Sequence, residues 1–144
     1  MNSDPDCIFC KIVAGQIPAL SVFEDDISLA FLDVGPLAEG HTLVIPKEHF
    51  STLTAMPGDQ MSALVRQLPR LAEAVMEAVS AQGINILVNQ GKAAGQDVPH
   101  VHWHIIPRVA SDGLGYRWNA STYRKGRAEQ VLQRIAAALQ SWSP

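Results

Sequence analysis

Three of the five histidines in this chain stand at two-residue intervals, and this stretch constrains the fold more than any other part of the sequence. His100, His102 and His104 alternate there with a valine, a tryptophan and an isoleucine. Strict alternation over residues of this kind predicts a β-strand. Because successive side chains of a strand point to opposite faces, we expect the three imidazoles on one face, about 7 Å apart, and the apolar residues in the core. An imidazole can bind metal, transfer a proton or attack phosphorus, so this face is the first candidate for a functional site.

The rest of the chain contains patterns of both strands and helices. Strands are predicted over four further segments: Leu20–Glu24, Ile27–Asp33, His41–Pro46 and Ile84–Asn89. Helices are predicted over Cys7–Ala14, where Asp6 can act as the cap, over Gly58 to about Gln82, and over Arg127–Gln140. Because these elements do not alternate regularly, they predict an α+β fold with a mainly antiparallel five-stranded sheet, a long helix and a C-terminal helix.

The longest predicted helix contains a proline near its middle. Its apolar stripe keeps one helical phase across Pro69, although a proline inside a helix costs about 3 kcal/mol. We therefore predict one helix that is kinked at Pro69 and capped by Gly83. Glycine-containing loops are predicted over Gly91–Val98 and Gly113–Ala120.

Length and charge limit the organisation and the partners. A chain of 144 residues without an evident linker or repeat predicts a single domain over residues 1–144. The formal net charge of −3 gives no support for binding a nucleic-acid polymer. No apolar run approaches the length of a spanning helix, and the polar, acidic N-terminus is unlike a signal peptide. We expect a cytoplasmic protein without a membrane partner.

Two cysteines and two histidines form a candidate metal site. Cys7, Cys10, His49 and His100 supply two sulfur and two nitrogen ligands, which suits tetrahedral Zn²⁺. The start of a helix lowers the pKa of a thiol, which favours the thiolate that binds metal. Four protein ligands leave no open position, so such a zinc ion would be structural. The intervals between the ligands are unlike those of a zinc finger, and a reduced cysteine pair without metal is the alternative.

If His100 binds metal, His102 is the central free imidazole. The loop before it offers backbone N–H groups at Gly95, Gln96 and Asp97, and glycine allows close approach of the backbone to a phosphate. Attack by an imidazole nitrogen on phosphorus would give a covalent phosphohistidine that water hydrolyses. His104 is a candidate donor to the phosphoryl oxygens. A carbonyl or an imidazole is expected to hold the other ring nitrogen of His102, and His41 is one candidate for this network.

The segment His100–Ile106 resembles the His-φ-His-φ-His-φ-φ signature of the histidine triad (HIT) superfamily, in which φ is an apolar residue. Other blocks that resemble this family are Cys7–Ile12, Gln16–Pro18, Phe31–Asp33, His41–Lys47 and Asn89 followed by Gly95-Gln96. The chain is most similar to the nucleotide-binding and hydrolysing branch. Bacterial members of that branch often carry the same Cys-x-x-Cys and end the signature in Pro-Arg, as Pro107-Arg108 does.

This resemblance implies a HIT-like α+β fold, a homodimer and a purine mononucleotide or nucleotide conjugate as ligand. It implies that His102 attacks the α-phosphorus of a nucleoside phosphoramidate or related conjugate and forms a nucleotidyl-histidine. His104 matches the triad histidine near the phosphate, and Asp33 matches the residue that binds the ribose hydroxyls. Asn89, Gly95, Gln96 and Asp97 match phosphate-side positions, and the apolar base slot is matched by Ile8, Phe9, Ile12 and Phe31. The zinc ligands resemble those of metal-bearing relatives.

Several of these positions have alternative interpretations. Asp97 stands where many relatives have Ser or Thr, and a carboxylate there repels an anionic substrate unless it is protonated or turned away. This favours a second hypothesis, a nucleotide-binding regulatory or scaffold protein with little catalysis. In a third hypothesis, the three triad histidines together bind a catalytic metal. Asp33 could instead cap a turn, and Phe9 and Phe31 could be ordinary core residues.

Overall fold

A computed structural model describes residues 1–114 and 120–142 of the chain. The chain forms two compact units, Met1–Asp112 and Gly113–Pro144. The site residues named above all belong to the first unit. In the predicted loop Gly113–Ala120, residues 115–119 lie outside the described residues. A single domain over residues 1–144 stays a prediction.

Within the described residues, one antiparallel sheet of five strands forms the centre of the first unit, in the order β1-β2-β3-β5-β4. The strands are β1 (Ser21–Glu24), β2 (Ser28–Leu32), β3 (Thr42–Pro46), β4 (Gly83–Val88) and β5 (Trp103–Arg108). The helices are α1 (Ile8–Val13), α2 (Gly58–Val65), α3 (Leu68–Val79) and α4 (Arg127–Ser141), with 3₁₀ turns at Leu53–Ala55 and Lys92–Ala94. The predicted α+β class and five-stranded antiparallel sheet are confirmed.

Each face of this sheet is covered by apolar residues from different helices. On one face α2 and α3 pack through Leu64, Leu68, Leu71 and Val75 against a cluster that includes Ala30, Val44, Val101, Trp103 and Ile105. On the other face α1 packs through Cys7, Phe9 and Cys10 against Leu29, Phe31, Leu43 and Ile45. The sheet therefore separates the apolar side of the histidine segment from the side on which α1 lies.

The alternation predicted for the histidine segment is present, but its strand is shorter than predicted. Val101, Trp103 and Ile105 are buried in the cluster with α2 and α3, as expected. β5 begins at Trp103, so His100 and His102 lie in the segment that leads into the strand. Of the three histidines, only His104 pairs within the sheet, opposite Leu43 and Leu87.

The prediction of one kinked helix differs from the structure, which has two helices. α2 ends at Val65, and Pro69 lies in the first turn of α3. A proline at this position costs little, because the first N–H groups of a helix have no partner within it. The apolar stripe keeps its phase because both helices bury one side against the same sheet. The predicted C-cap was also wrong: Ser80 ends α3 in a left-handed conformation, and Gly83 begins β4.

The first and last helices show two further differences. The N-cap of α1 is Cys7, and no side chain caps this helix, so the predicted cap at Asp6 was wrong. In the second unit, α4 runs from Arg127 to Ser141 close to the predicted bounds. In the described part of the chain, no helix combines the length and apolar character that crossing a membrane requires.

Candidate functional site

A pocket of about 400 Å³ opens between α1, the middle strands and the residues that lead into β5. Its polar groups come from His102, His104, Asp33 and Asp97. The apolar walls are formed by Ile8, Phe9, Ile12, Ile17, Pro18, Ala19, Phe31, Leu32, Val34, Leu43 and Val98. A mostly apolar pocket with a few convergent polar groups is the usual form of a small-molecule site.

His102 lies in this pocket with one of its two nitrogens fixed. Its Nδ1 is 2.7 Å from the carbonyl oxygen of His100, so a carbonyl holds this nitrogen, and His41 contacts His104 instead. A carbonyl oxygen only accepts hydrogen bonds, so Nδ1 carries the proton and Nε2 has the free lone pair. The ring is 6% exposed and packs edge-on against Phe9, with 5.2 Å between centroids. His102 is therefore held in the tautomer that a nucleophilic imidazole needs.

His104 is fixed through a chain of hydrogen bonds that starts at the backbone. The N–H of Leu37 donates to Nδ1 of His41 at 3.0 Å, so the proton of neutral His41 is on Nε2. This Nε2 lies 2.9 Å from Nδ1 of His104 and donates to it. The proton of His104 is therefore on Nε2, a buried atom without a hydrogen-bond partner among the described residues. A buried donor of this kind, in a pocket wall, is suited to bind a ligand oxygen or nitrogen.

Burial keeps His41 and His104, the two histidines of this chain of hydrogen bonds, neutral. It lowers the pKa of His104 to about 4, and the neighbouring His102 and His41 add to this shift, while Asp33 and Asp97 oppose it. Burial also lowers the pKa of His41, against the attraction of Asp33. At neutral pH, His104 therefore acts as a hydrogen-bond donor that carries no charge.

Asp33 combines a turn role with a place in the pocket. Its Oδ1 accepts a hydrogen bond from the N–H of Gly35 at 2.8 Å. This is the turn-capping role that was the alternative interpretation of Asp33. Its Oδ2 lies 3.7 Å from Nε2 of His41. The carboxylate also lines the pocket, where it can accept hydrogen bonds from a diol.

The predicted phosphate-side residues fall into two groups. Asp97 lines the pocket, whereas Asn89, Gly95 and Gln96 do not. Gln96 instead fixes its own loop: its side-chain nitrogen donates to the carbonyl oxygens of Ser51 and of the residue two positions on, at 2.7 and 3.1 Å. Asn89 donates weakly to the carbonyl of Gly95 at 3.5 Å. These residues shape the loop before the triad and are not part of the pocket wall.

The apolar residues predicted for a base slot come together in one wall. Ile8, Phe9, Ile12 and Phe31 all line the pocket. Phe9 and Phe31 are also buried in the core cluster and meet edge-on at 5.5 Å, so they are core residues that line the pocket, and their role in a base slot stays a prediction. Sequence reasoning missed other wall residues, such as Leu43 and Val98. Leu43 could have been found from strand pairing, since it lies opposite Phe31.

The four predicted metal ligands meet at the start of α1. One ligand atom from each of Cys7, Cys10, His49 and His100 lies within 4.8 Å of the others. Nδ1 of His100 is 3.5 Å from Sγ of Cys7 and 3.6 Å from Sγ of Cys10. Nδ1 of His49 is 3.3 Å from Sγ of Cys10. This group is a candidate metal site.

A backbone carbonyl orients the imidazole of His100, and a carboxylate lies near the imidazole of His49. Nε2 of His100 donates to the carbonyl of Pro46 at 2.9 Å, which leaves the lone pair of Nδ1 toward the sulfurs. Nε2 of His49 lies 4.0 Å from the carboxylate of Asp4, a neighbour that sequence reasoning missed. Contrary to the sequence-based expectation, burial raises the pKa of the Cys7 thiol and outweighs the backbone N–H groups that lower it.

The chain is similar to many proteins of one family. The model described as "HIT domain" matches residues 14–111. The "Protein hit" of Bacillus subtilis is 40% identical over 98% of this chain and 99% of its own length. "Adenylylsulfatase HINT3" of Arabidopsis thaliana is 42% identical over 83% of the chain, which spans 59% of that protein. "Adenosine 5'-monophosphoramidase hnt1" of Schizosaccharomyces pombe is 44% identical over 78% of the chain and 82% of its own length.

Solved structures agree with this relationship. SMU.412c from Streptococcus mutans superposes with a TM-score of 0.91 at 42% identity, over 96% of this chain and 88% of that one. A Zn-bound histidine triad family protein from Mycobacterium smegmatis superposes with a TM-score of 0.73 at 39% identity, over 94% of this chain and 96% of that one. The triad, the sheet and these similarities show that the chain belongs to the HIT family.

Proposed function

We propose that this protein hydrolyses nucleoside phosphoramidates or related nucleotide conjugates at the α-phosphate through a covalent nucleotidyl-histidine. The observation that carries the proposal is the pair of fixed tautomers: His102 presents a free Nε2 lone pair, and His104 presents an Nε2–H. A nucleophile and a donor beside each other, with 4.8 Å between ring centroids, suit attack on phosphorus. The monophosphoramidase named among the relatives supports the same reaction class.

In the first step, the Nε2 lone pair of His102 forms a bond to the α-phosphorus, and the bond between phosphorus and the leaving nitrogen breaks. The leaving nitrogen keeps the bonding electrons and takes a proton from solvent at the open pocket. His104 donates a hydrogen bond from Nε2 to the phosphoryl group as its charge is redistributed. The carbonyl of His100 accepts from Nδ1–H of His102 and stabilises the positive charge that develops on this ring.

In the second step, water attacks the same phosphorus. The new P–O bond forms as the bond to Nε2 of His102 breaks, the electron pair returns to the imidazole, and the water proton goes to solvent. The mononucleotide leaves and His102 is again neutral with its proton on Nδ1. The other residues bind the nucleotide: the apolar wall takes a purine base, and Asp33 accepts from the ribose hydroxyls.

We also propose that the Cys7, Cys10, His49 and His100 cluster binds a structural zinc ion. Tetrahedral zinc with ordinary bond lengths places a sulfur and a nitrogen ligand about 3.5 Å apart. The three sulfur–nitrogen distances given above, 3.3 to 3.6 Å, fit this value. Four protein ligands leave zinc no open position, so its contribution would be to hold α1, His49 and the triad segment together.

Two further properties follow from the family resemblance. We propose a homodimer and a purine nucleotide or nucleotide conjugate as the physiological partner. Light scattering of the purified protein measures its mass and so tests the homodimer. Calorimetry with AMP and a pyrimidine nucleotide measures the two affinities and so tests the preference for a purine.

The test uses adenosine 5′-phosphoramidate with a labelled phosphorus, quenched in alkali because phosphohistidine survives there. We expect the protein to release AMP and to carry label on His102. His102→Ala should lose both while it still binds AMP and keeps its metal content. Release of AMP by this variant at the original rate would contradict the covalent route.

The alternatives give different results in the same assay. AMP binding without labelling or release would support a nucleotide-binding regulatory or scaffold protein. Loss of turnover at the moment of chelation would support a catalytic metal held by the three triad histidines. Slow loss that follows unfolding is instead expected of a structural ion.

A further inference from the structure

Asp97 lines the pocket at a point where the backbone on both sides is anchored. The residues on both sides of it are anchored: the Gln96 side chain bonds to Ser51 and Val98, and it also accepts the N–H of Gly91 at 2.9 Å. The carbonyl of Val98 then accepts the N–H of His100 at 2.9 Å. Because the backbone is held before and after Asp97, this residue keeps its place in the wall of the pocket that also contains His102 and His104.

Nothing in the described part of the chain neutralises this carboxylate. Asp97 is exposed and has no hydrogen bond or ion pair among the described residues. Asp33, the other acidic residue of the pocket, is already bonded to the N–H of Gly35 and lies near His41. No lysine or arginine lines the pocket within residues 1–114 and 120–142. The negative charge of Asp97 acts on His104 and opposes the lowering of the His104 pKa by burial.

The position of Asp97 relative to the other groups indicates which part of a substrate it meets. In the proposed function, the apolar wall takes the base, Asp33 takes the ribose and His102 faces phosphorus. Asp97 is the polar wall residue that remains for the last substituent of the phosphorus, which is the leaving group. A carboxylate attracts a cationic leaving group and repels an anionic one.

We propose that Asp97 determines specificity at the leaving-group side of the pocket, favouring amines that carry positive charge and disfavouring anionic groups such as sulfate or phosphate. The inference rests on the proposed function and narrows its substrate class. An amine gains a proton as it departs, so the attraction to Asp97 grows along the reaction. A sulfate or phosphate group departs with more negative charge, so repulsion by Asp97 grows instead. Interactions that strengthen in this way act on kcat as well as on KM.

The experiment compares three adenosine 5′-phosphoramidates that differ in one remote charge. They are made from 1,3-diaminopropane, butylamine and 4-aminobutanoate, whose far ends are cationic, neutral and anionic. kcat/KM is measured for the protein, for Asp97→Asn and for the control Asp26→Asn. The control removes the same charge from an exposed turn residue that does not line the pocket. Dividing the rates of the protein by those of Asp97→Asn cancels the intrinsic reactivity of each compound.

We expect the preference for the cationic over the anionic compound to fall about tenfold or more in Asp97→Asn and to stay unchanged in Asp26→Asn. An effect of this size is expected of two charges some 6–8 Å apart near a surface. The preference of the unaltered protein should also weaken at high salt. Equal preferences in the protein and in Asp97→Asn would overturn the inference, whatever the absolute rates.

A binding measurement separates this inference from the proposed function. The affinities of the same three compounds are determined by calorimetry in His102→Ala, with and without Asp97→Asn. If the protein cleaves none of the compounds, the proposed hydrolase is wrong, and a charge-ordered affinity that Asp97→Asn removes still supports the role of Asp97. If the affinities are equal, or if none of the compounds binds, the role of Asp97 is rejected.

Discussion

Each imidazole of the triad has a different hydrogen-bond environment because its second nitrogen has a different neighbour. His102 donates to a carbonyl and keeps its outer nitrogen free, whereas His104 accepts from His41 and keeps its outer proton. His100 donates to the carbonyl of Pro46 and turns its other nitrogen toward two sulfurs. Three identical side chains in one short segment are therefore suited to a nucleophile, a donor and a metal ligand. The local partner decides the chemistry, and the residue type only permits it.

The first prediction concerns His41, which sets the tautomer of His104. His41→Ala removes the donor to Nδ1 of His104, so the proton of His104 is free to occupy either nitrogen and its ring loses orientation. We expect kcat to fall by about tenfold to a hundredfold, as for other small losses of alignment, with little change in KM. Steady-state kinetics with adenosine 5′-phosphoramidate measure both constants.

His41→Gln serves as the matched variant, because its amide nitrogen can still donate toward His104. It should recover part of the lost kcat. If His41→Ala and His41→Gln have the same rate, the chain of hydrogen bonds has no catalytic role. A role in folding alone would lower the melting temperature of both variants and leave kcat per folded molecule unchanged.

The sequence predicted that two triad histidines share one side of the chain and that four possible metal ligands come together, but it did not predict the contacts of the loop residues. Two-residue spacing places His102 and His104 on one side of an extended segment whatever the fold, so this part of the prediction depends on geometry alone. The hydrogen-bond partner of a loop side chain depends on contacts across the fold, such as that between the Gln96 amide and the backbone carbonyl of Ser51. No local pattern in the sequence reports such a contact, and the phosphate-side role of Gln96 stays a prediction.

At the scale of elements, the structure differs from the sequence-based prediction mainly at helix ends. The apolar phase across Pro69 is compatible with one helix or with two that pack on the same sheet, so the pattern could not separate them. Ser80 rather than Gly83 adopts the left-handed conformation that ends α3, with φ 54°. Element type was predicted well because burial repeats along a whole helix or strand, whereas an end depends on one or two residues.

The second prediction concerns the connection that leads from β2 into β3. Gly40 has φ +91°, and a Cβ added there would lie 2.9 Å from Cγ1 of Val79 in α3. Gly40→Ala should therefore destabilise the protein by about 2 kcal/mol, since it combines a left-handed backbone with a close contact. Urea denaturation followed by circular dichroism gives the free energy of unfolding.

Gly58→Ala is the control for this substitution. Gly58 lies at the start of α2, and an added Cβ would meet nothing within 4 Å. Its free energy of unfolding should change by less than about 1 kcal/mol, and in the stabilising direction. Equal effects of the two substitutions would show that the contact between Gly40 and Val79 does not restrict the fold.

At the scale of the whole molecule, the candidate metal site joins segments that are far apart in sequence. Cys7 and Cys10 belong to the start of the chain, His49 follows β3, and His100 precedes β5. The N-terminal segment is held at the same place by backbone bonds, since the N–H of His49 donates to the carbonyl of Asn2 at 2.8 Å. Closing such long loops stabilises a fold by restricting the unfolded chain.

The third prediction is that removing metal destabilises this first unit. A strong chelator should lower the melting temperature by more than about 4 °C, which corresponds to roughly 1 kcal/mol in a chain of this size. Elemental analysis before and after chelation should show the loss of about one zinc ion per chain, as expected for one four-ligand site. The variant Cys10→Ser should have a lowered melting temperature before the chelator is added, and the chelator should change that temperature little. A metal-free preparation with an unchanged melting temperature would rule out a structural ion.

One residue links the two sites, because the carbonyl that orients His102 belongs to His100. In a mutational scan selected on activity, substitutions at the cysteines would therefore be depleted along with those at the nucleophile, although no cysteine atom lines the pocket. Such a scan would overcount the residues that touch the substrate. Pairing it with a readout of protein abundance would divide the depleted positions into those that support the backbone and those that perform the chemistry.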